Sequence, residues 1–380
     1  MTITCVHQGY ELYGSDRVFV QSVKSLRERF PSATIRVLLP ARGALASQIE
    51  RLGCTIEIQA LWVLRRRDIL NRVVFGLPSL IRAVARARRQ IQESDLTYVS
   101  TSVVFDFLCA ARLNRKPVIV HVHELPQGKV LQVLRGLVAW SGAHVIFNSK
   151  ATQKAFGLER RPGLALANGC SPPVSQVQSN YDGTRPLRVL MIGRINRWKG
   201  QPLLIDAVRE VVRENRGVEV RIVGGTFESP ALRDLLVKQI EDHDLSDTIT
   251  VEDFLEDTSP LYHWSDVVVV PSLAPEPFGL VAIEAMAHGR PVIAAAHGGL
   301  LEIVNGRKTG WLFAPGDRGA LARTILEAIR NPQLVLSRGN AARKRYEIHF
   351  TEARYADRFK GFVDEILGAD GGRVSRRPTL

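Results

Sequence analysis

The chain has 380 residues, 45% hydrophobic and 23% charged, the composition of an ordinary globular protein with enough length for two or three domains. No apolar run approaches the ~18 residues of a membrane-spanning helix, which excludes an integral membrane protein of that kind. The net charge is +13 and one-sided: residues 1–180 hold 24 Lys and Arg against 11 Asp and Glu, and residues 181–380 hold 27 against 27.

Met1–Gln8 has no basic start and no small-residue cleavage site, so it reads as a first strand, Thr2–Val6, and not as a signal peptide. Ser15–Phe30 follows as a helix with Val18, Phe19, Ser22, Val23 and Leu26 on one stripe. Then come a strand at Thr34–Leu39, a helix at Ala44–Leu52, a strand at Thr55–Ile58 and an Arg-rich helix at Leu80–Ile91. Leu96–Ser100, Val118–Val122 and His144–Asn148 are further strands. The polar, Gly- and Pro-bearing stretch Ala167–Arg185 reads as a linker, its core at 171–185. The alternation then restarts: strands at Leu187–Ile192, Val218–Val223, Ile249–Val251, Val267–Pro271, Pro291–Ala294 and Gly310–Phe313, with helices at Gln201–Glu214, Pro230–His243 and Leu280–His288. Strands alternating with helices imply parallel sheets covered on both faces. The expected fold is α/β: two Rossmann-like doubly wound domains, residues 1–170 and 186–350, facing a cleft. A C-terminal helix at 351–367 packs back toward the first domain, and a disordered tail at 368–380 ends the chain.

Chemistry is expected at strand ends. Gly193–Gly200 (GRINRWKG) follows a strand and precedes a helix, and its Arg194 and Lys199 suit a diphosphate beside a helix N-terminus. In Pro275–Glu284 (PEPFGLVAIE), Glu276 falls in a Pro-rich turn and Glu284 in the following helix. There a carboxylate can accept from two vicinal ribose hydroxyls, or can be an ordinary helix residue that needs a partner among its apolar neighbours. Gly279 permits a tight turn at the start of that helix. Val118–Glu124 (VIVHVHE) ends a strand in two histidines, His121 and His123, on one face; either can serve acid/base work or be satisfied in the core. A two-histidine metal site lacks a third ligand, so no metal is expected. Tyr10–Arg17 links the first strand to the first helix with small residues, Gly14 among them, or simply caps that helix through Ser15 or Asp16. The four cysteines (Cys5, Cys54, Cys109, Cys170) are scattered and read as reduced thiols of a cytoplasmic protein.

In this order and spacing the second-half motifs resemble those of a GT-B fold glycosyltransferase of retaining family 4 (glycosyl transferases group 1). They comprise Gly193-Arg194 with Lys199-Gly200, Val223-Gly224-Gly225, Ser265-Asp266-Val267, Pro271-Ser272 and the Glu276/Glu284 pair around Pro277-Phe278-Gly279. Gly289–Ala294, Gly298-Gly299, Gly310–Phe313 and, near the linker, Asn168-Gly169 complete them. The resemblance covers residues 1–367. It implies transfer of a sugar from a nucleotide-diphosphate sugar to a glycan or lipid-linked acceptor, in cell-surface polysaccharide or glycolipid assembly, without cofactor or metal. By position, Arg194 and Lys199 would bind the diphosphate, Glu276 the sugar hydroxyls and Glu284 the ribose. Phe278, Gly279 and Leu280 would touch sugar or phosphate through their backbone, Gly14 would sit near the phosphates, and His123 would lie by the reacting sugar. Two departures stand out: the family's glycine pair is reduced to Gly14 in Tyr13–Asp16, and Arg290 replaces a small residue before Pro291.

A nucleotide-sugar 2-epimerase of the same fold and a non-catalytic binding protein are the alternatives; the Arg/Lys and paired-Glu spacing and the presence of both His123 and Lys199 argue against them. The excess charge of the first half collects in Arg65–Arg67 and in Arg82, Arg86, Arg88 and Arg89. It lies beside Trp62, Leu64, Val73, Val74, Phe75 and Leu77. Such a face is either plainly solvated or suited to an anionic membrane surface, peripheral at the inner leaflet. Nucleic acid is not an expected partner, since no helix-turn-helix, finger or RNP-type pattern accompanies the charge.

Overall fold

The computed structural model describes residues 1–63, 77–159, 163–175, 177, 179–215, 217–226 and 231–371. The chain divides into two compact units: Met1–Asn168 with the segment from Ala353 onward, and Gly169–Glu352.

The first unit is a parallel sheet in the order β3-β2-β1-β4-β5-β6-β7. Its strands are β1 (Thr2–Val6), β2 (Thr34–Leu39), β3 (Thr55–Ile58), β4 (Leu96–Val99), β5 (Val118–Val122), β6 (His144–Phe147) and β7 (Gly163–Ala165). β5 shows why: its five residues, four of them β-branched, are all buried, as a strand covered on both faces requires. The helices are α1 (Gly14–Arg29), α2 (Ala44–Arg51), α3 (Leu77–Gln92), α4 (Phe105–Arg112), α5 (Lys129–Ser141) and α6 (Lys150–Phe156). Ser149 caps α6, accepting from Thr152 N at 3.0 Å.

The second unit repeats the scheme in the order β10-β9-β8-β11-β12-β13, all parallel. Its strands are β8 (Leu187–Ile192), β9 (Val218–Val223), β10 (Ile249–Glu252), β11 (Val267–Val270), β12 (Val292–Ala295) and β13 (Gly310–Phe313). Between and after them run α7 (Gln201–Glu214), α8 (Ala231–Asp242), α9 (Ser259–Trp264), α10 (Leu280–Ala287), α11 (Leu300–Ile303), α12 (Arg318–Arg330) and α13 (Pro332–His349); α14 (Glu352–Gly371) closes the chain.

Every expected strand and helix is present to within a few residues. β7 and the helices α4, α5, α6, α9, α11, α12 and α13 were not anticipated. α13 shows the reason. Its buried positions are Val335, Gly339, Ala342 and Tyr346, a helical stripe half made of Gly and Ala, which no hydrophobic period reveals.

Two boundaries are corrected. The stretch 171–185 is not a free linker but part of the second unit: Tyr181 is 1% exposed in its core, and Arg185 binds Asp266 at 2.6 Å. Arg290, fully buried, ties the same stretch down, donating from Nη2 to the Val177 carbonyl at 2.8 Å and from Nε to the Tyr262 carbonyl at 2.7 Å. The tail expected to be disordered from Gly368 is helical to Gly371; residues 372–380 lie outside the described residues.

Candidate active site

Both sheets reverse strand order beside their first strand, between β1 and β4 and between β8 and β11. In doubly wound sheets a ligand crevice opens outside the carboxyl ends of the strands at such a switch point. The candidate residues gather at these two places.

In the second unit β8 ends at Ile192 and runs into Gly193–Gly200. Asn196 Oδ1 accepts from Trp198 N (3.2 Å) and Lys199 N (3.0 Å), curling the loop. Gly200 has φ +87°, and a Cβ there would lie 2.0 Å from the Pro271 carbonyl oxygen, so this loop is pressed against the loop after β11. Lys199 Nζ thereby reaches Glu276 Oε1 at 2.7 Å, with the Trp198 ring 4.5 Å from the ammonium. Glu276 is 4% exposed and takes the Ser272 hydroxyl on the same oxygen at 2.5 Å. The loop after β12 wraps its backbone: Gly299 N donates to the Glu276 carbonyl at 2.8 Å, and a Cβ on Gly298 would meet that oxygen at 2.3 Å. Lys199 and Glu276, given separate roles above, are thus one ion pair. Arg194 stands on the same loop, exposed, its carbonyl held by Gln201 Nε2 at 3.0 Å.

The next segment starts α10. Gly279, at φ +119°, precedes Leu280, the first helical residue; both are half-buried. The Phe278 ring is 3% exposed and packs 6.2 Å from Phe350, so this stretch offers a ligand its backbone. Glu284, one turn in and half-buried, has the partner that its apolar neighbours demand: Tyr262 donates its hydroxyl to Oε2 at 2.9 Å.

In the first unit β1 ends at Val6 and is followed by His7, which sequence reasoning passed over. Its Nε2 lies 2.7 Å from Asp16 Oδ1 and its Nδ1 3.2 Å from the Ser100 carbonyl, with its ring stacked on Phe19 at 4.6 Å. Asp16 Oδ2 also accepts from Tyr13 N at 2.9 Å. The expected cap at Ser15 or Asp16 is corrected: α1 begins at Gly14 with Tyr13 as N-cap, and Asp16, on the first turn, folds back over it. Gly9 is required beside this pair, since a Cβ would come within 2.2 Å of Asp16 Oδ1. The available signal was a histidine directly after a strand and an acid in the next helix's first turn.

His123 and His121 separate cleanly. His121 is fully buried, with Nδ1 2.8 Å from the Tyr98 hydroxyl; His123 is half-buried just past β5, with Nε2 3.1 Å from Ser100 Oγ. Ser100 therefore meets both His7 and His123. Burial holds both neighbouring rings, His121 and His123, well below the ordinary histidine range, and His7 adds to the effect on His123. Near pH 7 His123 is a neutral hydrogen-bonding group. Glu124 accepts from Thr101 Oγ1, Ser102 N (3.2 Å), Ser102 Oγ (2.8 Å) and His123 N (3.2 Å). So fully engaged, it clamps the loops after β4 and β5 together.

Two Rossmann-like units with these loops at their switch points define the two-domain class of fold called GT-B. Residues 176–345 match the family model of Glycosyl transferases group 1. A glycogen synthase of Mycobacterium tuberculosis is 33% identical over 196 residues, 50% of this chain and 46% of its own. A D-inositol 3-phosphate glycosyltransferase of Mycolicibacterium smegmatis is 38% identical over 159 residues, 40% of this chain and 35% of its own. The chain thus spans less than half the length of these curated relatives. Among solved structures, Anabaena HepE in complex with UDP-glucose superposes with a TM-score of 0.79 at 25% identity, covering 96% of this chain and 100% of that one. A glycosyltransferase from Rickettsia africae superposes with a TM-score of 0.77 at 18% identity, covering 96% and 98%.

Proposed function

We propose that this protein is a retaining glycosyltransferase that moves a sugar from a nucleotide-diphosphate sugar to a glycan or lipid-linked acceptor. The observation that carries the reading is the Lys199–Glu276–Ser272 cluster at the β8/β11 switch point, inside the segment that matches the family. That HepE was solved with UDP-glucose supports a donor of that kind. Breaking a sugar–phosphate bond builds negative charge on the departing diphosphate. Lys199, aimed by a buried carboxylate, and Arg194 on the same loop supply fixed positive charge there, each worth on the order of 3 kcal/mol at the transition state. Glu276 and the Phe278–Leu280 backbone hold the sugar and phosphates, Glu284 the ribose, and Gly14 flanks the phosphates. His123, neutral, hydrogen-bonds the reacting sugar. These cations do the work that a metal does elsewhere, so turnover is expected to persist in EDTA.

The first unit takes the acceptor, and its basic face holds the enzyme on an anionic membrane. On α3, Arg82, Arg86, Arg88 and Arg89 are exposed, next to Leu77 at 57% and Ile81 at 61% exposure. Trp62, counted above with that exposed apolar set, is corrected: it is buried. Arg65–Arg67, Leu64, Val73, Val74 and Phe75 lie outside the described residues.

The test is a screen of nucleotide sugars, UDP-glucose included, scored for nucleotide release with and without acceptor glycans. Release that rises with acceptor supports transfer. Conversion of the sugar in place, or no turnover of any donor with every acceptor tried, overturns the reading.

A further inference from the structure

Helix α14 belongs to the first unit and brings one polar side chain into its interior. Tyr355, 2% exposed, has its hydroxyl 2.6 Å from Ser22 Oγ on α1, although the two residues are 333 positions apart. Ser22 Oγ is 2.9 Å from the Tyr98 hydroxyl on β4, and that hydroxyl is 2.8 Å from His121 Nδ1 on β5. Ser22 donates to the Val18 carbonyl at 2.9 Å, so its oxygen accepts from both tyrosines. Tyr98 then has no hydrogen left for His121 and accepts from Nδ1–H. The chain fixes the ring of His121 and its tautomer. His121 Nε2 is left buried with no partner among the described residues. Packing alone does not favour such a placement, since an unpaired buried acceptor is costly. What the ring does there is lie against His123, the two centroids 3.9 Å apart at 38°.

We propose that Tyr98, His121 and Tyr355 are positioning residues for His123, so that the C-terminal helix completes the site of the first unit. The proposal rests on the reading of His123 as the group beside the reacting sugar. None of the three touches the reactants: they act by fixing the surface on which the His123 imidazole rests, while Ser100 holds its edge. The volume of the tyrosines is secured separately. Phe359 of α14 packs edge-on to Tyr98 at 5.4 Å and stacks on Tyr355 at 5.9 Å, so Phe at either position keeps the packing and loses only the hydroxyl.

The test uses the full chain with its nine histidines labelled with 15N, His121 and His123 being assigned by substitution. Tyr98→Phe and Tyr355→Phe are compared with Val363→Ala, a buried change on the same helix with no part in the polar chain. The expected result is a His121 tautomer protonated at Nδ1 in the wild type. The His123 ring signals should move in both tyrosine variants and stay in place in Val363→Ala. With UDP-glucose as probe donor, kcat should fall about tenfold in Tyr98→Phe and less in Tyr355→Phe, with KM within about twofold, as a misplaced group costs rate before binding. Unmoved His123 signals in the tyrosine variants, or equal movement in Val363→Ala, overturn the proposal and leave the chain a packing feature. His123→Ala separates the two readings: full turnover there removes the role of His123 itself, whereas loss of turnover there with normal kcat in both tyrosine variants removes only the positioning chain.

Discussion

At the scale of single residues, Lys199 carries two burdens that can be measured apart. It neutralises Glu276, which is buried, so removing it leaves an uncompensated carboxylate and, on the proposed function, an unassisted leaving group. Lys199→Ala should lower turnover by about two orders of magnitude and also lower the unfolding midpoint. In Lys199→Ala with Glu276→Gln the midpoint should recover while turnover stays low; recovery of turnover as well would show that Lys199 serves only the ion pair. Arg194→Ala, an exposed change, should cut turnover similarly with little effect on stability. Asp106 offers a pH test. Burial raises its carboxyl from the ordinary 3.8 to about 6, against the opposing pull of the Trp62 and Phe107 backbone N–H groups. A folded value above the unfolded one means that its contribution is fully present below pH 3.8 and is lost as pH rises through about 6. Asp106→Asn should remove up to about 3 kcal/mol of that pH-dependent loss, seen as a flatter stability profile between pH 4 and 6 in chemical denaturation.

At the scale of elements, the loops that lead into α7 and α10 depend on backbone that only glycine supplies. Gly200 joins the β8 loop to α7 at positive φ with the Pro271 carbonyl where a Cβ would go, and Gly279 starts α10 at positive φ with Leu300 Cδ2 2.7 Å from that point. The two obstacles differ: one is backbone, the other the end of a flexible side chain. Gly200→Ala should push the loops after β8 and β11 apart, separating Lys199 from Glu276. Its cost should be about 2–4 kcal/mol of stability with turnover nearly abolished, whereas Gly279→Ala should cost about 1–2 kcal/mol because Leu300 can yield. Urea denaturation and nucleotide release on the two variants check this; equal effects would mean that the Pro271 contact carries no special weight.

At the scale of the whole molecule, the positive excess is confined to residues 1–180. No described helix is long and apolar enough to cross a membrane, so any attachment through helices rests on surface charge and partly exposed apolar side chains. Each Lys or Arg near an anionic leaflet contributes about 1 kcal/mol, and salt weakens the attraction. Co-sedimentation with vesicles is therefore expected to need anionic lipid, to decline with ionic strength, and to drop when Arg82, Arg86 and Arg89 are all changed to Gln. Equal binding to neutral and anionic vesicles, or none to either, would return the face to plain solvation.

The alternation of β-branched runs with helical stripes was enough to read every strand of both sheets except β7, because a parallel strand buried on two faces has little freedom in composition. Val118–Val122 and Val267–Val270 are legible for that reason. The loops Gly193–Gly200 and Pro275–Glu284 were equally legible, since glycine, cations and carboxylates at strand ends are local features. What stayed hidden depends on distance along the chain. The Lys199–Glu276 contact spans 77 positions and the His121–Tyr98 contact 23; the latter separates the core histidine from the open one, which alternation had placed on the same face. His7 was invisible as a site residue until Asp16 and Ser100 were brought to it, and Tyr355 until α14 was placed beside α1. Sequence determines which residues can form each element and which chemistry each loop carries. Only tertiary structure decides which polar groups lose water together, and that shared burial is what sets their partners and protonation.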